Sequence, residues 1–386
     1  MDYLLAFLAL IGHCAISIFL INRAHATSLP YWLIKVIDGC WYFAVGGAPL
    51  LVAIYLWAGF PGWMERHLII QYAIFSYVAV CWFSALAVVP VWLRYSTDSG
   101  TTHRLVSNHT QHIDVIRRCG RRPVGSISTN LLSKIPTNQV FNLSVTEKVL
   151  ELPRLDPQLD GLTIAHLSDL HFTGRITREF FEIVVEQANQ MDADLVAITG
   201  DIIDNPLCRP WLDEILGQLS GRHGVFFILG NHDLRIHDEP GLRAQLTRLG
   251  FHDLGGRWQP VTINRKPIVL AGNELPWFVP AADMQSCPVN PRQGRPFRIA
   301  LSHSPDQINW CQNYDFDLML AGHTHGGQIR LPVVGPIFAP SRYGVKYSAG
   351  TFFEDPTLMH VSRGLSGTRP LRFNCTPEIT KLILRS

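Results

Sequence analysis

Cysteine pairs at Cys-X-X-Cys spacing are absent from this sequence. Its eight cysteines are scattered singly, which excludes a zinc knuckle and gives no disulfide framework. Reduced thiols in a cytoplasmic domain fit that pattern. A surplus of either charge is missing too: the net charge is +2 over 386 residues, so nothing in the balance points to a nucleic acid polymer as partner. No internal repeat is present. Residues 1–93 lack charge almost entirely and are crowded with Leu, Ile, Val, Ala, Phe, Trp and Tyr, whereas nearly all acidic and basic side chains fall beyond them. The two parts are built for different solvents.

Three stretches of the first part, Leu4–Ile21, Trp41–Phe60 and Leu68–Leu93, approach or exceed the roughly 20 apolar residues that a helix needs to cross a bilayer. The first lacks the positive leader and the small-residue cleavage site of a signal peptide, so it reads as a span. His13 and Cys14 in its middle read as residues tolerated by neighbouring helices. Arg23 and Lys35 lie in the first connecting loop, Arg66 beside Glu65 in the second, and Arg94, Arg104, Arg117, Arg118, Arg121 and Arg122 after the third. Because translocating Lys and Arg is disfavoured, this places the N-terminus outside and everything after Leu93 in the cytoplasm. The Asn-X-Ser/Thr triplets at Asn108, Asn142 and Asn374 would matter only in the opposite orientation. The cluster Arg117, Arg118, Arg121 and Arg122 either rests on anionic lipid head groups or belongs to a solvated linker.

Residues 94–137 are polar with little periodicity and read as a basic linker with at most short structure. From 138 to 386 the pattern is that of a domain. Alternation at Val140, Leu143, Val145 and Val149 predicts strand. Short apolar runs then take turns with amphipathic segments: strands at Leu162–Leu167, Leu195–Thr199 and Val225–Leu229, helices at Arg178–Gln190, Pro210–Leu219 and Leu242–Leu249. Further strands are predicted at Val261–Ile263, Ile268–Gly272, Ile299–Ser302, Leu318–Leu320, Leu358–Val361 and Ile379–Leu384. This is α/β order, stacked mixed sheets flanked by helices.

Candidate ligands follow the strands. Asp169 and His171 come after the first, Asp201 after the second, Asn231, His232 and Asp233 after the third, His303 after Ile299–Ser302, and His323 and His325 after Leu318–Leu320. The carboxyl ends of strands form one edge of an open α/β sheet, so residues distant in sequence converge there. Carboxylate, imidazole and amide oxygen without thiolate suit divalent Mn, Fe, Zn or Co. In Asp169-X-His171 and His323-X-His325 an extended backbone would point both members of each pair into one cavity. Gly200, Gly230, Gly322, Gly326 and Gly327 permit tight turns beside them.

At these residues the chain resembles the calcineurin-like metallophosphoesterase superfamily, whose blocks occur in order as Asp169-Leu-His171, Gly200-Asp201, Gly230-Asn231-His232-Asp233, His303 and Gly322-His323-Thr-His325. It is most similar to the bacterial membrane-associated branch, through Leu167-Ser-Asp-Leu-His-Phe-Thr-Gly174, Ser362-Arg363-Gly364-Leu365, Arg372 and Pro377-Glu378-Ile379. The resemblance implies a two-sheet αββα sandwich after the membrane helices, seated at the bacterial inner membrane. It also implies two divalent ions, manganese among the options. Asp169, His171, Asp201 and His325 would hold one ion, and Asp201, Asn231, His303 and His323 the other. A hydroxide bridging them would attack a phosphodiester or pyrophosphate in line. By the same resemblance His232 stabilises charge on the phosphoryl group or protonates the departing oxygen, with Asp233 orienting it.

Asp204 and Asn205 read as a cap or as supports of the ligands. Arg363 and Arg372 either grip phosphate or form salt bridges. Some relatives in that branch act on UDP-2,3-diacylglucosamine in lipid A synthesis, so a lipid-linked substrate is the expectation. The alternatives are soluble nucleotides or general phosphoesters, and, more remotely, a metal centre that only stabilises a membrane protein. Trp211, Leu212, Trp277, Phe278, Phe338, Phe352 and Phe353 either contact acyl chains or belong to the core.

Overall fold

The computed structural model describes residues 2–59, 67–97, 102–287 and 295–386. They fall into two compact units, one drawn from Met1–Asp98 and Val333–Lys346, the other from Ser99–Pro332 and Tyr347–Ser386.

The first unit holds three long helices, α1 (Asp2–His25), α2 (Tyr31–Ala58) and α3 (Leu68–Thr97). Each is long and apolar enough to cross a membrane. α2 begins ten residues before the predicted Trp41. Its two charges neutralise each other, with Lys35 Nζ 3.5 Å from Asp38, which also meets His25 Nε2 at 2.7 Å. His13 is satisfied by neighbouring helices, with Nδ1 2.6 Å from the Tyr77 hydroxyl and Nε2 3.2 Å from the Ala44 carbonyl. Phe60, Glu65 and Arg66, used above to place spans and loops, lie outside the described residues.

The second unit is a sandwich of two mixed sheets. One runs in the order β1 (Leu105–Asp114), β2 (Asn142–Glu151), β15 (Glu378–Arg385), β3 (Thr163–Leu167), β4 (Leu195–Thr199), β5 (Val225–Ile228), β6 (His252–Asp253). The other runs β13 (Gly350–Glu354), β14 (Thr357–Val361), β10 (Leu318–Ala321), β9 (Phe297–Ser302), β8 (Lys266–Asn273), β7 (Trp258–Ile263). Two-residue strands β11 (Arg330–Leu331) and β12 (Gly335–Pro336) lie between β10 and β13 in sequence.

Strand alternation builds two cores from one sheet. Ile164, Leu195, Ala197, Phe226 and Ile228 face the second sheet and pack on Leu270, Ile299, Leu301, Leu318, Leu320 and Leu358. Their neighbours Ala165, Leu167, Val196, Ile198, Val225 and Phe227 face outward onto Phe180, Phe181, Val184, Leu212 and Leu246 of the covering helices. Both faces of these parallel strands are therefore buried, which explains their continuous apolar runs.

The segment read as a linker is largely built into this unit. β1 pairs antiparallel along the length of β2, from Leu105 opposite Leu150 to Asp114 opposite Asn142, and is followed by α4 (Val115–Cys119) and α5 (Ile127–Ser133). β1 is an edge strand with most of its side chains exposed and none buried. It needs no apolar alternation, and so it gave none.

Candidate metal centre

β3, β4 and β5 run parallel, as do β8, β9 and β10, so the turns after β3, β4, β5, β9 and β10 gather at one end of the sandwich. There His171 Nε2 lies 3.2 Å from His325 Nε2 and 3.4 Å from Asp201 Oδ2, although 154 residues separate the two histidines. Asp169 Oδ1 is 3.5 Å from His325 Nε2. On the other side of Asp201, His303 Nε2 is 3.3 Å from Oδ1 and 3.1 Å from Asn231 Oδ1. The His323 ring packs against that of His303, with centroids 4.9 Å apart. Among the described residues three ligand-competent groups result: Asp169/His171/Asp201/His325 and Asp201/His303/His323, which share Asp201, and His171/Asp204/His232 beside them.

The backbone that achieves this is not the extended one expected from sequence. Asp169, His171, Asp201, His323 and His325 all have φ between 49° and 69°, the left-handed region. Each such non-glycine residue costs about 1–3 kcal/mol and persists only where its surroundings overdetermine it. Those surroundings are hydrogen bonds between the loops: Asp169, His171 and Phe172 donate N–H to the carbonyls of Gly200, Asp201 and Ile202. The loops also touch through glycine. A Cβ at Gly230 would sit 2.3 Å from Asp201 Oδ1, and one at Gly322 only 1.8 Å from Ser168 Oγ.

The imidazoles are oriented for a cation. Nδ1 of His303 lies 2.7 Å from the Thr199 carbonyl, that of His325 3.2 Å from the Ser366 carbonyl, and that of His171 2.7 Å from Asp204 Oδ2. With Nδ1–H donating to these acceptors, Nε2 is the atom left to coordinate a cation in all three once the ring is neutral. Two further atoms are stranded: among the described residues, Asp201 Oδ2 and His323 Nε2 are buried without a hydrogen-bond partner. Orphaned buried acceptors are costly unless something coordinates them. Two nitrogens each about 2.0–2.1 Å from one ion are separated by roughly 3 Å, as the Nε2 atoms of His171 and His325 are. The donor set fits two divalent cations.

Burial works against a charge on His171, but Asp204 and Asp201 override it and push its pKa up to about 9. His303 behaves alike: burial opposes, Asp201 prevails, and the pKa again rises to about 9. Burial holds His323 and His325 well below the usual imidazole value, helped by the neighbouring His303 and His171 respectively. Two ligands are thus ready as lone pairs at pH 7, and two must shed a proton first. Cation binding is expected to release close to two protons near pH 7 and to tighten as pH rises toward 9. Calorimetric titration with Mn2+ in buffers of different ionisation enthalpy measures this, and release below about half a proton would contradict it.

Asp204 was read as a cap or support, and it does more than cap. Its two oxygens receive His171 Nδ1 at 2.7 Å and His232 Nδ1 at 2.5 Å, and Oδ1 also accepts from Arg235 Nη1 at 2.7 Å. Those cationic partners outweigh its burial and hold its carboxyl far below the usual range. Asp233, expected to orient His232, instead accepts from the N–H groups of Ile202, Ile203 and Gly230 and fixes the ligand loops. Asn205 accepts from Leu207 N and donates to the Thr173 carbonyl.

Arg363 Nε pairs with Glu378 at 3.0 Å, the salt-bridge alternative, and Arg372 is buried and donates to the carbonyls of Arg363 and Ser366. The arginine near the chemistry is Arg235, which sequence reading missed: its Nη2 lies 3.3 Å from His232 Nε2. Its place three residues after His232, in a tight turn, is the only sequence signal it gives. Of the aromatic candidates, Leu212 and Phe278 are buried, Trp211 packs on Phe172 and Phe181, and Phe352 and Phe353 belong to β13. Trp277 lies against the rings of His303 and His323, at 5.3 and 4.7 Å, and Phe338 against His25 in the first unit.

Beneath the metal end, between the sheets, Lys148 Nζ meets His360 Nε2 at 3.0 Å, His360 Nδ1 meets His166 Nδ1 at 2.9 Å, and His166 Nε2 meets Thr199 Oγ1 at 2.9 Å. A protonated Lys148 can only donate. It therefore sets the direction of the whole chain, which ends on the residue whose carbonyl orients His303.

Residues 162–327 match the model of the calcineurin-like phosphoesterase family. An uncharacterized metallophosphoesterase of Bacillus subtilis, YkuE, is 32% identical over 248 residues, 63% of this chain and 86% of that protein. The phosphodiesterase YaeI of Escherichia coli is 29% identical over 226 residues, 57% of this chain and 81% of its own length. The UDP-2,3-diacylglucosamine pyrophosphatase LpxG of Chlamydia muridarum is 25% identical over 293 residues, 61% of this chain and 88% of its own. With the fold, the donor set and these relatives in agreement, the chain belongs to the calcineurin-like metallophosphoesterases, metal-dependent hydrolases of phosphoesters.

Proposed function

We propose that this hydrolase cleaves a phosphodiester or pyrophosphate bond in a lipid-linked substrate at the membrane face, UDP-2,3-diacylglucosamine being the first candidate. The observation that carries the reading is the union, in one chain, of a phosphoesterase centre with three helices able to span a bilayer. An active site tethered there meets amphiphilic substrates at high local concentration. A relative named for that pyrophosphatase activity supports the choice. The Lys and Arg distribution supports a cytoplasmic catalytic unit at a bacterial inner membrane, crossed by α1, α2 and α3.

In this reading Asp169, His171, Asp201 and His325 hold one cation, and Asp201, Asn231, His303 and His323 the other. Bound there, the pair would lower the pKa of water and neutralise phosphoryl oxygens. The chain's own groups do the rest. His232 directs its Nδ1–H to Asp204, so Nε2 must first take up a proton from solvent, making the ring an imidazolium, before it can give that proton to the departing oxygen. Asp204 fixes that ring and His171 together, so proton transfer and metal binding share one brace. Arg235 adds positive charge beside Nε2, where negative charge builds up as the bond breaks.

The test compares UDP-2,3-diacylglucosamine with its deacylated head group in detergent, using the full chain loaded with Mn2+. The acylated compound is expected to have a kcat/KM at least about tenfold higher, as burying even one or two methylenes on binding would give. Equal turnover would remove the lipid from the reading and favour soluble phosphoesters.

A further inference from the structure

Helix α5 is inside out. Two of its three hydroxyl residues face the protein, with Thr129 1% and Ser133 5% exposed, while Ile127 is 82%, Leu131 63% and, just past the helix, Ile135 40% exposed. Spacings of four residues put these three apolar side chains on one line along the helix. A single exposed Leu is ordinary. An exchange of sides along a whole helix is not, and it was hidden from sequence reading because the segment passed for a linker.

The backbone imposes this orientation from both ends. On the entry side Gly125 N donates to the Arg175 carbonyl at 2.8 Å, Thr177 N to the Pro123 carbonyl at 3.1 Å, and Val124 bridges to Ile176. The approach is so close that a Cβ at Gly125 would lie 1.9 Å from the Gly174 carbonyl oxygen. On the exit side Asn138 Nδ2 donates to the carbonyls of Leu132 and Pro370, both at 2.9 Å, and Oδ1 accepts from Arg372 N at 3.0 Å. Both anchors are loops of the metal centre: 172–177 continues from His171, and 366–372 begins with the carbonyl that orients His325. The helix cannot roll its apolar line inward without breaking them.

Charge says what covers the line. Residues 115–146 contain no Asp or Glu but carry Arg117, Arg118, Arg121, Arg122 and Lys134. Arg118 and Arg121 are engaged with Glu186 and Glu179 of the neighbouring helix; Arg117 and Lys134 are exposed, as is Arg122, whose Nη1 donates to the Ser133 carbonyl at 3.1 Å. An apolar line in a segment that has no acid of its own, with Arg117 and Lys134 beyond the two arginines that Glu186 and Glu179 neutralise, is the pattern of a surface that lies in an anionic lipid interface. A bilayer, moreover, is what the three long apolar helices of this chain bring with them.

We propose that α5 is a membrane-contacting foot of the catalytic unit. Ile127, Leu131 and Ile135 enter the boundary between head groups and acyl chains, and Arg117, Arg122 and Lys134 meet lipid phosphates. The contact holds the mouth of the metal centre at the lipid surface. It does not rest on the lipid-linked substrate proposed above, because the foot would dock whichever phosphoester is cleaved.

The full chain is placed in nanodiscs of phosphatidylglycerol with the photo-crosslinking residue benzoylphenylalanine at 131 (Leu131→benzoylphenylalanine), at 127, or at His223. The last is an exposed control just before β5, at the strand end remote from the metal centre. After illumination, mass spectrometry is expected to find phosphatidylglycerol adducts at 131 and 127 at least about ten times more abundant than at 223. Retained hydrolysis of bis(p-nitrophenyl) phosphate verifies that each variant is folded, and two probe positions guard against the failure of one. Adducts to a second copy of the chain or to another protein at 131 and 127, or lipid adducts no more abundant than at 223, would overturn the proposal. Replacing phosphatidylglycerol by phosphatidylcholine is expected to cut the yield severalfold; an unchanged yield would overturn the part assigned to the cations.

Discussion

Replacing Asp201 by alanine is expected to empty both metal positions at once and to lower kcat/KM by on the order of 10^3 or more. The reason is its membership of both ligand groups: Oδ2 faces His171 and Oδ1 faces His303. Metal-bound charge stabilisation contributes several kcal/mol to phosphoryl transfer, and about 1.4 kcal/mol is a factor of ten in rate. Removing Asp169 strips one group only, and removing Asn231 only the other, so each single variant should retain close to one ion. Metal content by mass spectrometry of the purified chain separates the three cases. If Asp201→Ala kept both ions, the shared carboxylate would be disproved, whatever the activity.

Alanine at His232 should do the opposite: leave the metal content intact and reduce kcat by about 10^2 to 10^4, the range of a lost general acid. The loss should depend on the leaving group. p-Nitrophenolate departs without a proton, so a p-nitrophenyl ester should suffer least and an alkyl ester most. Equal losses for both would mean that His232 stabilises charge without giving a proton, and an unchanged rate would remove it from the chemistry. Asp204→Asn provides the internal check. Because the same carboxylate braces His171 and His232, that variant should weaken metal binding about 10- to 100-fold, as loss of a ligand's hydrogen-bond partner does, and lower kcat besides.

The candidate ligands were legible because chemistry and topology repeat the same statement: each follows a short apolar run, and such runs end at one edge of a sandwich. Strands buried on both faces advertise themselves by composition, as Leu195–Thr199 and Val225–Ile228 do. What stayed hidden lacks such a signature. β1 is mostly exposed, only Leu105 and Ile113 packing against the cores, and so has little pattern to read. The left-handed backbone at Asp169, His171, Asp201, His323 and His325 is imposed by loops that belong to different strands; Asp and His adopt it more readily than most residues, but too rarely for the sequence to announce it. Asp204 and Arg235 act through distances set by the folded loops, and the exchange of orientation between Asp233 and Asp204 is a matter of which way two carboxylates three-dimensionally face. Side chains whose role is to position others are the ones that sequence spacing serves worst.

The place of β15 bears on how the molecule is made. It lies between β2 and β3, parallel to one and antiparallel to the other, yet it is translated after every metal ligand. A growing chain on the ribosome therefore already contains His325 while the β1–β2 hairpin has no neighbour and β3 has a bare edge. Until residues 378–385 have emerged and threaded between them, two aggregation-prone strand edges stay open. By then α1, α2 and α3, the helices long and apolar enough to span a bilayer, have long since left the exit tunnel.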